Sequence, residues 1–150
     1  MWARENGCPW DDEHDILNTD CCAAAARGGH LEVLRWAREH GCRWNERTTI
    51  YAAEHGHLNV LKWARANGCP FNEMACAVAA KGGLMEVLKW LREHDCPWGY
   101  MTTALAAQDG QLKALMWARE HGCPWNELTR ALACPEVLWW LDENDAPYAP

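Results

Sequence analysis

Histidine and cysteine recur together along this chain at a spacing that could bind a metal. A histidine stands two positions before a cysteine in three pairs: His40 and Cys42, His94 and Cys96, and His121 and Cys123. A tetrahedral zinc site needs four ligands within about 2.0–2.3 Å of one ion, whereas neighbouring helices lie about 8–10 Å apart. Each pair therefore offers two ligands and never four. We call these three pairs the His-x-Cys column. We interpret each pair as a small buried thiol beside a surface histidine. The alternative function is a metal- or redox-responsive scaffold that uses the column.

The number and positions of the cysteines predict packing rather than disulfide chemistry. The chain has nine cysteines, an odd number, and five of them occupy one repeated position: Cys8, Cys42, Cys69, Cys96 and Cys123. The adjacent Cys21 and Cys22 stand where later segments have Thr48-Thr49 and Ala75-Cys76, which favours helix packing over a redox pair. We therefore expect nine free thiols, as in a reducing compartment.

Catalytic motifs are missing from the sequence. There is no glycine-rich phosphate loop, no Gly-x-Ser-x-Gly and no His-Glu-x-x-His. We expect no enzyme activity, no catalytic or metal-binding residue and no cofactor.

Composition and charge restrict the partners further. The chain has 150 residues, of which 49% are hydrophobic and 23% charged, so it is long enough to bury a core. Its net charge of −7 opposes binding to nucleic acid or to an anionic membrane. No run approaches the length of a membrane span, and residues 1–10 carry charges where a secretory signal needs apolar residues. We expect a cytoplasmic or nuclear protein that is not secreted and is monomeric.

A tryptophan bias reveals an internal repeat. The chain has 11 tryptophans, and four of them, Trp36, Trp63, Trp90 and Trp117, are 27 residues apart. The surrounding residues recur with them, so we expect a single repeat domain over 1–150. Its full repeats are 18–44, 45–71, 72–98 and 99–125, preceded by a partial unit at 1–10 and an acidic insertion at 11–17, and followed by a degenerate unit at 126–150.

Each repeat is predicted to form two helices. The first carries a pair of small residues, such as Ala52-Ala53, and we expect it to end at a left-handed glycine, at Gly28, Gly56, Gly82 and Gly110 in successive repeats. The second, Leu31–His40 in the first full repeat, has a wide apolar face that includes Val33. Glycine ends it at positions 41, 68 and 122, with Asp95 and Asp145 in that position elsewhere. Asn45, Asn72 and Asn126 are suitable N-caps for the helix that follows.

A two-helix unit of this size cannot bury its apolar face alone, whereas copies stacked on one another can. No alternating β pattern interrupts the helical one. We therefore predict an all-α fold, an α-solenoid of stacked helix-turn-helix repeats.

The repeat resembles the ankyrin-repeat family. Residues 52–62, AAEHGHLNVLK, are similar to the AAxxGHLEVVK core of ankyrin repeats, and residues 68–72, GCPFN, resemble their GADVN segment. The usual ankyrin unit is six residues longer, and the missing residues fall where ankyrins carry a β-hairpin finger. The resemblance implies a stack of two-helix units that lacks this finger and binds proteins on its concave, first-helix face.

The aromatic residues fall into two columns. One follows the second helices (Trp36, Trp63, Trp90, Trp117 and Trp140), and the other lies in the loops (Trp10, Trp44, Phe71, Trp98, Trp125 and Tyr148). Such columns can stack on nucleic-acid bases, but the acidic charge and the strict register favour stacking between repeats.

Function should appear where the repeats differ from one another. Two first-helix positions vary, and in ankyrin-like stacks they face the concave side. They are Asp20, Arg47, Met74, Met101 and Leu128, and then Arg27, Glu54, Lys81 and Gln108. We expect a scaffold or adaptor that binds an unidentified protein there. Met74, Met101 and Leu128 form either an apolar binding patch or filling for the space of the lost hairpin, and both interpretations remain open.

Overall fold

The computed structural model describes the backbone of residues 15–144 and 146, and side chains from residue 21 onward in those ranges. The partial unit at 1–10 and the ends of the two aromatic columns, Trp10 and Tyr148, lie outside the described residues, as does Asp145. The chain divides into two compact units, Met1–Pro70 and Phe71–Pro150.

The first unit contains two helix pairs. They are α1 (Asp15–Arg27), α2 (Leu31–Glu39), α3 (Glu46–Glu54) and α4 (Leu58–Ala66). The first helices α1 and α3 pack side by side, and each also packs against the second helix of its own repeat. Residues 15–17, which the repeat alignment assigns to the acidic insertion, form the first turn of α1.

The second unit repeats the same arrangement. Its helices are α5 (Glu73–Lys81), α6 (Met85–Glu93), α7 (Tyr100–Gln108), α8 (Leu112–Glu120), α9 (Glu127–Ala131) and α10 (Pro135–Glu143). The first helices α5, α7 and α9 form a row, and α6 and α8 each pack against the first helix of their own repeat. The described residues contain helices and no strands, which confirms the predicted all-α, helical-repeat fold.

Small residues let the first helices approach closely. The alanine pairs at 52–53, 79–80 and 106–107 have no exposed surface, and neither do the buried leucines Leu34, Leu61, Leu88 and Leu115 of the second helices. One expected member of the apolar face is exposed: Val33, at 55%. Its equivalents Val60 and Val87 are buried, so the wide apolar face predicted for the second helices is present in the later repeats.

The turn inside each repeat corrects one prediction. Gly56 and Gly110 have positive φ angles of 75° and 69°, as expected. In the repeats with two consecutive glycines, however, the left-handed residue is the second one, Gly29 or Gly83, and Gly82 has a φ of −78°. Gly82 is therefore the C-cap of α5, as His55 and Asp109 are the C-caps of α3 and α7, and the left-handed turn stays in register with Gly56.

The predicted N-caps are confirmed. The side-chain oxygens of Asn45, Asn72 and Asn126 each accept a hydrogen bond of 3.0 Å from the backbone N–H two residues ahead. Gly99 occupies this position before α7 and provides no side-chain cap. These caps satisfy backbone donors that the first helical turn leaves free.

We expect Asp95→Gly to stabilise the protein by about 0.5–1 kcal/mol, because a left-handed residue strains any side chain except that of glycine. Asp95 has a φ of 59° at the end of α6, where the equivalent Gly41, Gly68 and Gly122 have φ angles of 78–86°. Denaturant melts measure the change in the free energy of unfolding. Asp95→Ala is the control, since it keeps the strain, and equal melts for the two variants would contradict the explanation.

Candidate protein-binding face

The variable first-helix positions lie largely at the surface. Exposed side chains occupy five of them: Arg27, Arg47, Glu54, Lys81 and Gln108. Leu128 is also exposed, at 39%. The backbone of Asp20 belongs to α1, but its side chain lies outside the described residues.

The burial of Met74 and Met101 is intermediate between the two predicted alternatives, an exposed patch and a buried filling. Both are half-buried, so they are neither free surface residues nor part of the sealed core. The core beneath them consists of fully buried residues such as Ala77 and Ala104. Each methionine therefore presents part of its side chain to solvent from a supported position.

Sequence reasoning missed three residues on the same surface. Val78, Leu105 and Leu132 follow Met74, Met101 and Leu128 by four positions, and residues four apart lie on one face of a helix. Val78 and Leu105 are half-buried, and Leu132 is 39% exposed. We call these six residues the apolar first-helix face. Extending the methionine positions by one helical turn would have found it in the sequence.

The corresponding surface of the first unit is polar. Arg47 donates a hydrogen bond of 3.2 Å from Nη2 to the hydroxyl of Tyr51, one turn further along α3. Its guanidinium also lies over the Tyr51 ring, 5.7 Å from the ring centroid. On α1, the exposed Ala24 and Arg27 present little apolar area. The repeats therefore share a backbone but differ in the chemistry that they present.

Polar groups border the apolar first-helix face. The exposed Lys81 and Gln108 follow Val78 and Leu105 on their helices. An apolar centre with a polar border is the usual anatomy of a protein-binding surface.

The aromatic columns pack between repeats, as predicted. Each loop ring meets the tryptophan of the next second helix, at centroid distances of 5.5–6.3 Å. The pairs are Trp44 with Trp63, Phe71 with Trp90, Trp98 with Trp117, and Trp125 with Trp140. All of these rings are half-buried, so they lie at the edge of the core and not at its centre.

Other side chains cover these rings. Arg38, Arg92 and Arg119 lie over Trp44, Trp98 and Trp125, with the guanidinium carbon 4.1–4.3 Å from the ring centroid. Histidines stack on second-helix tryptophans, as His94 does on Trp90 at 4.2 Å. Arginine therefore covers the rings of Trp44, Trp98 and Trp125, and histidine covers second-helix rings such as that of Trp90.

In the His-x-Cys column, the two side chains have different partners. The Nδ1 atoms of His40, His94 and His121 contact the carbonyl oxygens of Trp36, Trp90 and Trp117 at 2.7–2.8 Å. The thiols point inward, and those of Cys96 and Cys123 donate to the carbonyls of Asn72 and Gly99 at 3.4 Å. Among the described residues, no group of three or more His, Cys, Asp or Glu side chains could hold a metal ion.

Burial makes two thiols at the repeated cysteine position weak acids. It raises the pKa of Cys69 to about 12 and that of Cys123 to about 11. None of the eight cysteines with described side chains forms a disulfide, and Cys8 lies outside the described residues. Since the thiolate is the reactive form, Cys69 and Cys123 are unreactive at neutral pH.

A comparison with protein families supports the resemblance. Residues 21–65, from α1 into α4, match the family model of ankyrin repeats (many copies). Together with the helical pairs, this match confirms the predicted ankyrin-like repeat. Proteins of this class generally mediate protein–protein interaction and are typically not enzymes.

No curated protein matches the chain. No helix in the described part of the chain is long and apolar enough to cross a membrane.

Proposed function

We propose that this protein is an interaction scaffold that binds a partner protein through the apolar first-helix face. The observation that carries the proposal is the position of its six residues. They stand in equivalent positions on α5, α7 and at α9, and these helices form one row. Each side chain is exposed or half-buried although it is apolar. Contiguous apolar surface of this kind is typical of interaction sites.

The chemistry of the face favours a protein as the ligand. Methionine and leucine adapt to the shape of an apolar partner, and they provide no donors for reading nucleic-acid bases. The net charge of −7 also opposes a phosphate backbone. We therefore expect an amphipathic segment of the partner to place its apolar side chains against Met74, Met101 and Leu128. The exposed Lys81 at the border favours a nearby acidic group on the partner.

Of the alternative function, a metal- or redox-responsive scaffold that uses the His-x-Cys column, the metal-binding form gains no support from this geometry. Its histidines contact carbonyls at the surface, while its thiols are buried. The two kinds of ligand therefore do not meet at one point.

Binding assays with the double variant Leu128→Glu/Leu132→Glu test the proposal. Both side chains are 39% exposed, so charge can be added there without entering the core. We expect the affinity for a partner identified by pull-down and then purified to fall at least about tenfold, because charges replace apolar contacts within the apolar first-helix face.

Val33→Glu is the matched control, since Val33 is an equally apolar residue that is 55% exposed and belongs to a second helix, α2. It should leave the affinity unchanged. Circular dichroism should give the same helical content for both variants. Unchanged binding by a folded double variant would show that the partner uses another surface.

A further inference from the structure

Two buried thiols meet inside the first full repeat. The Sγ atoms of Cys22 on α1 and Cys42 in the loop after α2 are 3.1 Å apart. Neither side chain has any exposed surface. A disulfide has an S–S length of about 2.05 Å, so the two atoms need to approach by about 1 Å to form one.

The neighbouring repeats show what this position normally does. Thr49 stands 27 residues after Cys22, and its Oγ1 donates a 2.9 Å hydrogen bond to the carbonyl of Pro70. Thr103 makes the same bond to Pro124, at 3.0 Å. The position therefore connects the first helix to the loop that ends the repeat. In two repeats a threonine makes this connection, and in the first full repeat a pair of thiols takes its place.

A second repeat has the cysteine pair as well. Cys76 is equivalent to Cys22, and it is hydrogen-bonded to the thiol of Cys96, which raises its pKa. Both of these side chains are buried. Cysteine pairs thus occur in the repeats at 18–44 and 72–98, and Thr–Cys pairs occur in those at 45–71 and 99–125.

The two thiols of the first pair differ in acidity. The hydrogen bond from the Cys22 thiol lowers the pKa of Cys42, and the Arg38 guanidinium acts in the same direction. The same hydrogen bond and burial raise the pKa of Cys22. Cys42 is therefore the thiol of the pair that ionises more readily to the nucleophilic thiolate, and Cys22 is the hydrogen-bond donor beside it.

We propose that Cys22 and Cys42 form an oxidation site, at which a hydroperoxide joins the two sulfurs in a disulfide between α1 and the loop after α2. The Cys42 thiolate attacks hydrogen peroxide, breaks the O–O bond and becomes a sulfenic acid, and the released hydroxide takes up a proton as water. The Cys22 sulfur then attacks the Cys42 sulfur and displaces the hydroxyl group as a second water. Two thiols lose two hydrogens, and one peroxide is reduced to two waters.

Access to the pair comes through the loop. Gly41 and Arg43, on either side of Cys42, are exposed, so a local opening of this segment admits a molecule as small as hydrogen peroxide. No metal site competes for these thiols, because no group of three suitable ligands exists among the described residues. The inference is independent of the proposed partner-binding function.

The test is peroxide treatment of the full-length, folded protein, followed by alkylation of the remaining thiols, digestion and mass spectrometry. We expect one linked peptide pair that contains Cys22 and Cys42 and is lighter by two hydrogens. Cys69, whose partner position holds Thr49, should be recovered alkylated. Dithiothreitol should separate the linked peptides.

Cys22→Thr is the matched variant, because it gives the first full repeat the Thr–Cys pair that residues 49 and 69 already have. It should keep the helical content and lose the linked peptide. If peroxide leaves both wild-type thiols alkylatable, or links Cys42 to Cys21, or carries Cys42 to a sulfinic acid while Cys22 stays free, the proposal is overturned. A linked peptide that forms only after denaturation would overturn it equally.

Discussion

Replacing Leu88 with alanine should lower the free energy of unfolding by about 3–5 kcal/mol. Leu88 lies on α6 and has no exposed surface. Its equivalents Leu34, Leu61 and Leu115 are buried in the same way. Truncation removes apolar contacts and leaves a cavity, and the alanine-lined first helices have no long side chains that could fill it.

Equilibrium unfolding in urea measures this loss. Met116→Ala is the control, since Met116 is 36% exposed on α8, and it should change the free energy of unfolding by less than about 0.5 kcal/mol. A loss below about 1 kcal/mol for Leu88→Ala would mean that the second-helix leucines are not the core of the repeat. The slope of the transition should be the same for both variants, so that the midpoints report stability.

Gly29→Ala should destabilise the protein by about 1.5–2.5 kcal/mol, through two separate effects. Gly29 has a φ of 70°, and an alanine in this region is strained by about 1 kcal/mol. A Cβ atom at Gly29 would also lie 2.6 Å from Nδ1 of His57. The ring would have to move and would lose the 3.0 Å hydrogen bond that its Nε2 donates to the carbonyl of Arg27, worth about 0.5–1.5 kcal/mol.

Gly68→Ala separates the two effects. Gly68 has a φ of 78°, and a Cβ atom there would meet nothing within 4 Å, so only the strain of about 1 kcal/mol applies. Thermal and denaturant melts of the two variants give the difference directly. In a His57→Ala background, Gly29→Ala should then cost no more than Gly68→Ala. If it still costs more, displacement of His57 is not the cause.

The helical pairs and their caps could be predicted because they depend on local interactions. Asparagine before a helix satisfies free N–H groups within its own turn, and Asn45, Asn72 and Asn126 do so. The left-handed turn was misplaced in two repeats, although the 27-residue period puts Gly29 and Gly83 in register with Gly56 and Gly110. The structure adds a second reason for glycine there, because Gly29 approaches His57 of the next repeat and Gly83 approaches Gln111 in the same way.

The candidate site was only partly predictable. Variation between repeats pointed to Met74, Met101 and Leu128, since a position that the stack does not require is free to change. How far each side chain is buried depends on the neighbouring helix, and periodicity does not contain that information. The half-burial of both methionines therefore came from the structure, whereas Val78, Leu105 and Leu132 could have been found one helical turn further along the sequence.

By itself, the sequence determined the repeat period, the pairing of helices, the caps and the stacking of aromatic rings between repeats. These features follow from short-range chemistry that recurs every 27 residues. Only the tertiary structure decided which residues of a shared pattern meet. It brings Cys22 to within 3.1 Å of Cys42, although 20 positions separate them, and it places His40 and Cys42 in different surroundings. Contacts between helices depend on how two surfaces pack, and spacing along one chain does not specify that.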